Sequence, residues 1–151
     1  MIYPIVILIL TVIDQVLKFL VRRSPGMGGE KDLIDNILCL NVIKNDGVAF
    51  GLLGDARDLI IAVTAFLAGI FLAYVFLKRK QERPVVLVSL SMITAGALGN
   101  LIDRISAGYV TDFIDIRFWP YIFNFADVCV VLGCVILLFA VLFPSLGVRR
   151  K

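Results

Sequence analysis

Four apolar runs alternate with polar stretches along the chain, at residues 1–20, 59–77, 85–102 and 126–143. At about 1.5 Å of rise per residue, about 20 apolar residues cross a hydrocarbon core of roughly 30 Å, so each run predicts a membrane helix. The first run has no basic leader and carries Asp14, Gln15 and Lys18 where a signal peptide would be purely apolar, so it reads as a retained helix. Asp14 and Lys18 stand four apart, on one helix face, and can pair. Ionisable groups inside a span face the bundle interior, which marks this pair as site-supporting. In the third run Gly96 to Asn100 reads GALGN, where two glycines three apart let a neighbouring helix come close. Pro144 helps to end the fourth run.

The connections carry the chemistry. Residues 22–58 include a β-leaning run at 33–44, followed by Asn45, Asp46 and Gly47, where Asn45 reads as a turn residue. Strands lying on the membrane surface are expected here. The stretch 99–127 holds four carboxylates. Asp103 has Arg104 beside it and Asp115 has Arg117 two residues on, so both read as local ion pairs. Asp112 and Asp127 have no such neighbour. If residues 110–118 are extended, Asp112 falls on the face of Val110, Ile114, Ile116 and Phe118, and Thr111, Asp115 and Arg117 on the other. Asp127 opens the fourth run, where the reading that asks least is a first-turn residue favoured by the helix dipole and capped by Asn124. Trp119 and Tyr121 suit an interfacial aromatic belt.

Composition narrows the class. The 151 residues are 60% hydrophobic with a mean hydropathy of +0.98, against about 45–50% apolar residues in soluble domains. No internal repeat or low-complexity tract divides the chain, and a single domain over 1–151 is expected. The three cysteines suggest no disulfide framework: Cys129 and Cys134 lie in an apolar helix and Cys39 alone in a loop. The absence of histidine excludes a His-zinc site and a Ser-His triad, and no metal or organic cofactor is implied. Seven Lys/Arg fall in the short 78–83 loop and the C-terminal tail (Lys78, Arg79, Lys80, Arg83, Arg149, Arg150, Lys151), against Arg104 and Arg117 in the 99–127 connection and, in the longer 22–58 loop, Arg22, Arg23, Lys31, Lys44 and Arg57, whose vote six acids weaken without cancelling it. The positive-inside rule puts those seven and both termini in the cytoplasm, with no need of nucleic acid. The polar residues of four separate segments then gather on the extracytoplasmic side: Asp14, Lys18, Asn45, Asn100, Asp103, Arg104, Asp112, Asn124 and Asp127.

Two carboxylates in one dry site cannot both ionise cheaply, so they share a proton and supply acid and base together. That fits peptide hydrolysis at a membrane surface. The rival from another class is a four-helix transporter or proton-relay subunit. A relay strings its ionisable groups through the membrane depth, whereas these cluster at one end.

The ordered set Asp14-Gln15-x-x-Lys18, Asn45-x-Gly47-x-Ala49-Phe50, Gly96-Ala97-x-Gly99-Asn100-Leu101-Ile102-Asp103-Arg104, Gly108-x-Val110-x-Asp112-Phe113 and Phe123-Asn124-x-Ala126-Asp127 resembles the lipoprotein signal peptidases (signal peptidase II) across nearly the whole chain. The resemblance implies four membrane helices with a small extracytoplasmic β-structure, in a bacterial inner membrane. It implies an aspartic endopeptidase that removes the signal peptide of diacylglyceryl-modified prolipoproteins just before the lipidated cysteine. Asp112 and Asp127 map to its catalytic aspartates. Asn45, Asn100, Arg104 and Asn124 map to substrate-binding positions, with Asp14, Lys18, Asp103 and Gly99 supporting the site. It further implies contact with membrane lipids, inhibition by globomycin-like cyclic peptides, and a monomer. Val48, Thr111, Phe125 and Val128 depart from the family's usual residues and bear on pocket shape.

Overall fold

The structure, a computed structural model, describes residues 2–23, 30–46 and 56–144. Gly47, Val48, Ala49 and Phe50, and the basic Arg149, Arg150 and Lys151, lie outside the described residues. In chain order the elements are α1 (Ile2–Arg23), β1 (Lys31–Ile34), β2 (Leu38–Asn45), α2 (Ala56–Lys78), α3 (Pro84–Ser106), β3 (Val110–Ile116), β4 (Ile122–Phe123) and α4 (Phe125–Leu142). All four helices are long and apolar enough to cross a membrane. Pro84 opens α3 at a position whose N–H has no intrahelical partner anyway. The last turn of α1 extends past the apolar run because its two arginines find partners: Arg23 lies 4.2 Å over the Phe19 ring, and Arg22 turns inward.

Helix α3 is the hub, packing against α1, α2 and α4. Some 67% of its span is buried, against 11% for α2, which leaves the outer helices to face lipid. Its core-facing Ser89, Ser91 and Thr94 each donate to the carbonyl four residues earlier at 2.7 Å, so no buried hydroxyl is left unpaired. Close approach relies on the GALGN glycines. A Cβ on Gly96 would run into the Ala126 carbonyl and the Val130 side chain; one on Gly99 would strike the Asp14 carboxylate. Gly133 does the reciprocal job from α4, against Ile93 and Ser89.

The four strands form one antiparallel sheet in chain order. The 33–44 run is broken in two at Asn36, whose φ of 59° is left-handed, a conformation asparagine tolerates well. Asn45 corrects its expected turn assignment: it ends β2, in register with Val110. Cys39 is likewise not a loop residue but fully buried on β2. The two-faced reading of β3 fails at its start, where Val110, Thr111, Asp112 and Phe113 are all buried because helices as well as strands cover them. Apolar residues stand exposed on the sheet and its turns, among them Leu33, Ile34, Ile37, Trp119 and Tyr121, in keeping with a sheet lying against a membrane surface.

Candidate active site

Asp112 comes from β3 and Asp127 from the first turn of α4. Asn124 brings them together. Its side-chain amide donates to Asp112 Oδ1 at 2.6 Å and to Asn100 Oδ1 at 3.1 Å. Its backbone N–H donates to Asp127 Oδ2 at 3.1 Å, and its Oδ1 accepts from the Asp127 N–H at 3.0 Å. This is a full capping box at the start of α4. The capping reading of Asp127 is therefore correct, but it uses only one carboxylate oxygen. Oδ1 is held instead by the Asn100 amide, at 2.7 Å.

Asp112 is 1% exposed, and each of its oxygens accepts from an amide, Oδ2 from Asn45 at 2.7 Å. Burial raises its pKa above the ordinary carboxyl value, the two amide hydrogen bonds oppose that, and the charge of Asp127 adds to it. The face that Asp112 shares with Val110 and Ile114 is thus lined by amides at this position.

Behind the dyad lies a buried ion cluster. Lys18 is fully buried, and its ammonium reaches Asp14 Oδ2 at 2.9 Å, Asn100 Oδ1 at 2.9 Å and Asp103 Oδ2 at 3.3 Å, one acceptor for each of its three N–H bonds. The expected Asp14–Lys18 pair is present. Asp14 Oδ1 also accepts the Ala126 N–H at 2.9 Å, tying α1 to the first turn of α4 through the gap that Gly99 leaves. Among the described residues no buried polar side-chain atom lacks a partner.

Both expected local ion pairs are wrong. Asp103 pairs with Lys18 and with Arg22 at 2.8 Å, and it accepts the Thr111 N–H at 3.0 Å; Arg104, one residue on, projects from another side of the helix. Arg117 pairs with Glu30 at 2.7 Å and Asp32 at 3.0 Å, while Asp115 accepts from Asn41 at 3.1 Å. The Arg104 side chain forms no hydrogen bond or ion pair among the described residues; its carbonyl accepts from Arg57 at 2.9 Å.

Comparison with known proteins decides the family. The model for signal peptidase (SPase) II matches residues 6–143. The chain belongs to the signal peptidase II family. It is 40% identical to the lipoprotein signal peptidase of Moorella thermoacetica over 139 residues, covering 91% of each chain. It is 37% identical to that of Fusobacterium nucleatum over 152 residues, covering 100% of this chain and 92% of the other. A solved bacterial membrane enzyme, determined by the in meso method at 1.9 Å resolution, superposes with a TM-score of 0.86 at 28% identity over 95% of this chain and 94% of that one. Membership of a peptidase family leaves the transporter reading without support.

For a signal peptidase II chain, sequence reasoning missed two contributors. Arg22, counted as a loop charge, donates from Nε to Thr111 Oγ1 at 2.6 Å as well as to Asp103. Gln15 donates to the Gly99 carbonyl at 3.0 Å. The signal for Arg22 was in the spacing: Asp14, Lys18 and Arg22 recur every four residues along one face of α1.

Proposed function

We propose that this chain is the aspartic endopeptidase that cuts diacylglyceryl-modified prolipoproteins just before the lipidated cysteine, acting from a bacterial inner membrane as one domain over 1–151. The observation that carries this reading is that a single residue, Asn124, is hydrogen-bonded to both Asp112 and Asp127. With both termini in the cytoplasm, the sheet end of the bundle faces outward, near the headgroups, where water is still at hand.

The protonated Asp112 hydrogen-bonds the scissile carbonyl oxygen. A negative charge on Asp127 sits at the N-terminus of α4, where the helix dipole stabilises it, and the Asp127 carboxylate takes a proton from the attacking water. Asp112 passes its proton to the carbonyl oxygen as the tetrahedral diol forms. The diol collapses as Asp127 returns a proton to the leaving nitrogen, the C–N bond breaks, and Asp112 regains its proton from a diol hydroxyl. Asn45, Asn100 and Asn124 hold the two carboxylates and meet the substrate backbone. Arg104 is left to meet substrate. Asp14, Lys18, Asp103 and Gly99 keep the frame. Globomycin-like peptides fit as inhibitors that take the substrate's place, and a monomer suffices because every residue invoked comes from one chain.

The testing experiment is a gel-shift cleavage assay with purified protein on a diacylated prolipoprotein and on its unmodified precursor, with and without EDTA. Cleavage of the diacylated form, undiminished by EDTA, is expected. Activity lost in EDTA and restored by zinc would remove the aspartic mechanism.

A pH prediction follows from Asn45. Its hydrogen bond holds the raised pKa of Asp112 down, so Asn45→Ala lets it rise further. The rate falls on the alkaline side once Asp112 loses its proton, and the variant's alkaline limb is therefore expected at higher pH than wild type. A pH profile of kcat for the two proteins checks this; a limb that moves down contradicts it.

A further inference from the structure

A recess of about 420 Å³ opens beside the dyad, between the β3–β4 hairpin and the start of α4. Trp119 and Tyr121 form one wall, Val128, Val131 and Leu132 the other, and Asp127 stands in its lining. Its volume lies within the usual range of small-molecule sites, roughly 300–1,000 Å³. Apart from Asp127 its wall is carbon almost throughout. Residues 128, 131 and 132 share one stripe of α4, while Ala126, Val130 and Gly133 face α3, so the recess looks out towards the bilayer.

We propose that this recess binds one acyl chain of the substrate's own diacylglyceryl group, an inference that rests on the peptidase reading above. Two observations select the occupant. A peptide segment would bring a row of backbone N–H and C=O groups into a recess whose lining offers them no polar side chain but Asp127, whereas an acyl chain has none to satisfy. Position is the second. Cutting just before the lipidated cysteine places its sulfur four bonds from the scissile carbonyl carbon, about 5 Å at most extended reach. The glycerol-linked chains therefore begin beside the dyad, and the recess has one dyad carboxylate in its wall.

The test compares dipalmitoyl- and dioctanoyl-modified forms of one prolipoprotein in nanodiscs, cleaved by wild type and by Val131→Trp. Val131 is 59% exposed, so the larger ring fills the recess without entering the bundle core. Wild type is expected to prefer the long-chain substrate by roughly tenfold or more in kcat/KM, acting through KM, since the further methylenes of the longer chain pack against the carbon walls of the recess. In Val131→Trp that ratio should collapse towards one. Leu132→Trp gives the same reading where the first variant fails to fold. A long/short ratio that both variants leave unchanged would show that the substrate's chain does not lie there. Equal losses on both substrates would assign the recess to the signal peptide instead, and also overturn the proposal. Wild type that cleaves both forms equally defeats the acyl-chain assignment alone; wild type that cleaves neither defeats the peptidase reading itself.

Discussion

Asp112→Asn and Asp127→Asn are each expected to lower single-turnover cleavage of a diacylated prolipoprotein by about a thousandfold, the middle of the range for losing a positioned acid or base. An amide can neither take the water's proton nor hold one for the carbonyl oxygen. Each change also sets an NH2 against another NH2: Asp112 accepts from Asn45 and Asn124, and Asp127 from Asn100. That mismatch costs on the order of 1–3 kcal/mol, small enough that the variants should still fold. Asp115→Asn is the control. Among the described residues its carboxylate accepts only from Asn41 on the sheet, and the activity of this variant should stay close to wild type. Thermal unfolding of each purified variant separates lost chemistry from lost structure. Turnover by Asp112→Asn or Asp127→Asn within tenfold of wild type would remove that residue from the dyad.

The second large effect concerns Lys18. Its ammonium pairs with two buried carboxylates, Asp14 and Asp103, and Lys18→Met leaves Asp14 buried with no cation among the described residues. Breaking such a pair from one side costs about 3–5 kcal/mol, and the single variant should be strongly destabilised. Asp14→Asn combined with Lys18→Met removes charge from both sides, and Arg22 still serves Asp103, so much of the lost stability should return. Activity should not return with it. Lys18 also donates to Asn100 Oδ1, and this charged donor fixes which end of the Asn100 amide faces Asp127. The double variant is expected to keep KM and lose about tenfold or more in kcat, about one well-placed hydrogen bond's worth. Recovery of thermal stability and kcat together would reduce Lys18 to an ion-pair partner.

How legible the molecule was depended on the range of the interaction. The four helices followed from apolar run length alone, and the GALGN contacts followed from local chemistry. The Asp14–Lys18 pair was readable because helical periodicity is regular over four residues. Pairings across elements were not readable. Asp103 was assigned to its chain neighbour Arg104, but successive residues on a helix diverge, and the cations that reach it come from α1. Arg117 shares a strand face with Asp115, yet sheet register offers it two carboxylates, Glu30 and Asp32. Asn45 carried two competing signals, turn chemistry and a strand end, and cross-strand pairing with Val110 decided between them. The double use of Asp127, one oxygen for the helix cap and the other for Asn100, could be found only by seeing both oxygens at once.

The central claim is that Asp112 and Asp127, joined through Asn124, cut the peptide bond without a metal. Mass spectrometry of the products released from a diacylated prolipoprotein by purified protein in EDTA tests it most directly. The predicted result is a mature chain that begins at the lipidated cysteine, formed by wild type and by Asp115→Asn and absent with Asp112→Asn or Asp127→Asn. The same product from either of those two variants, a cut at another bond, or a product that appears only when a metal is added would contradict the account.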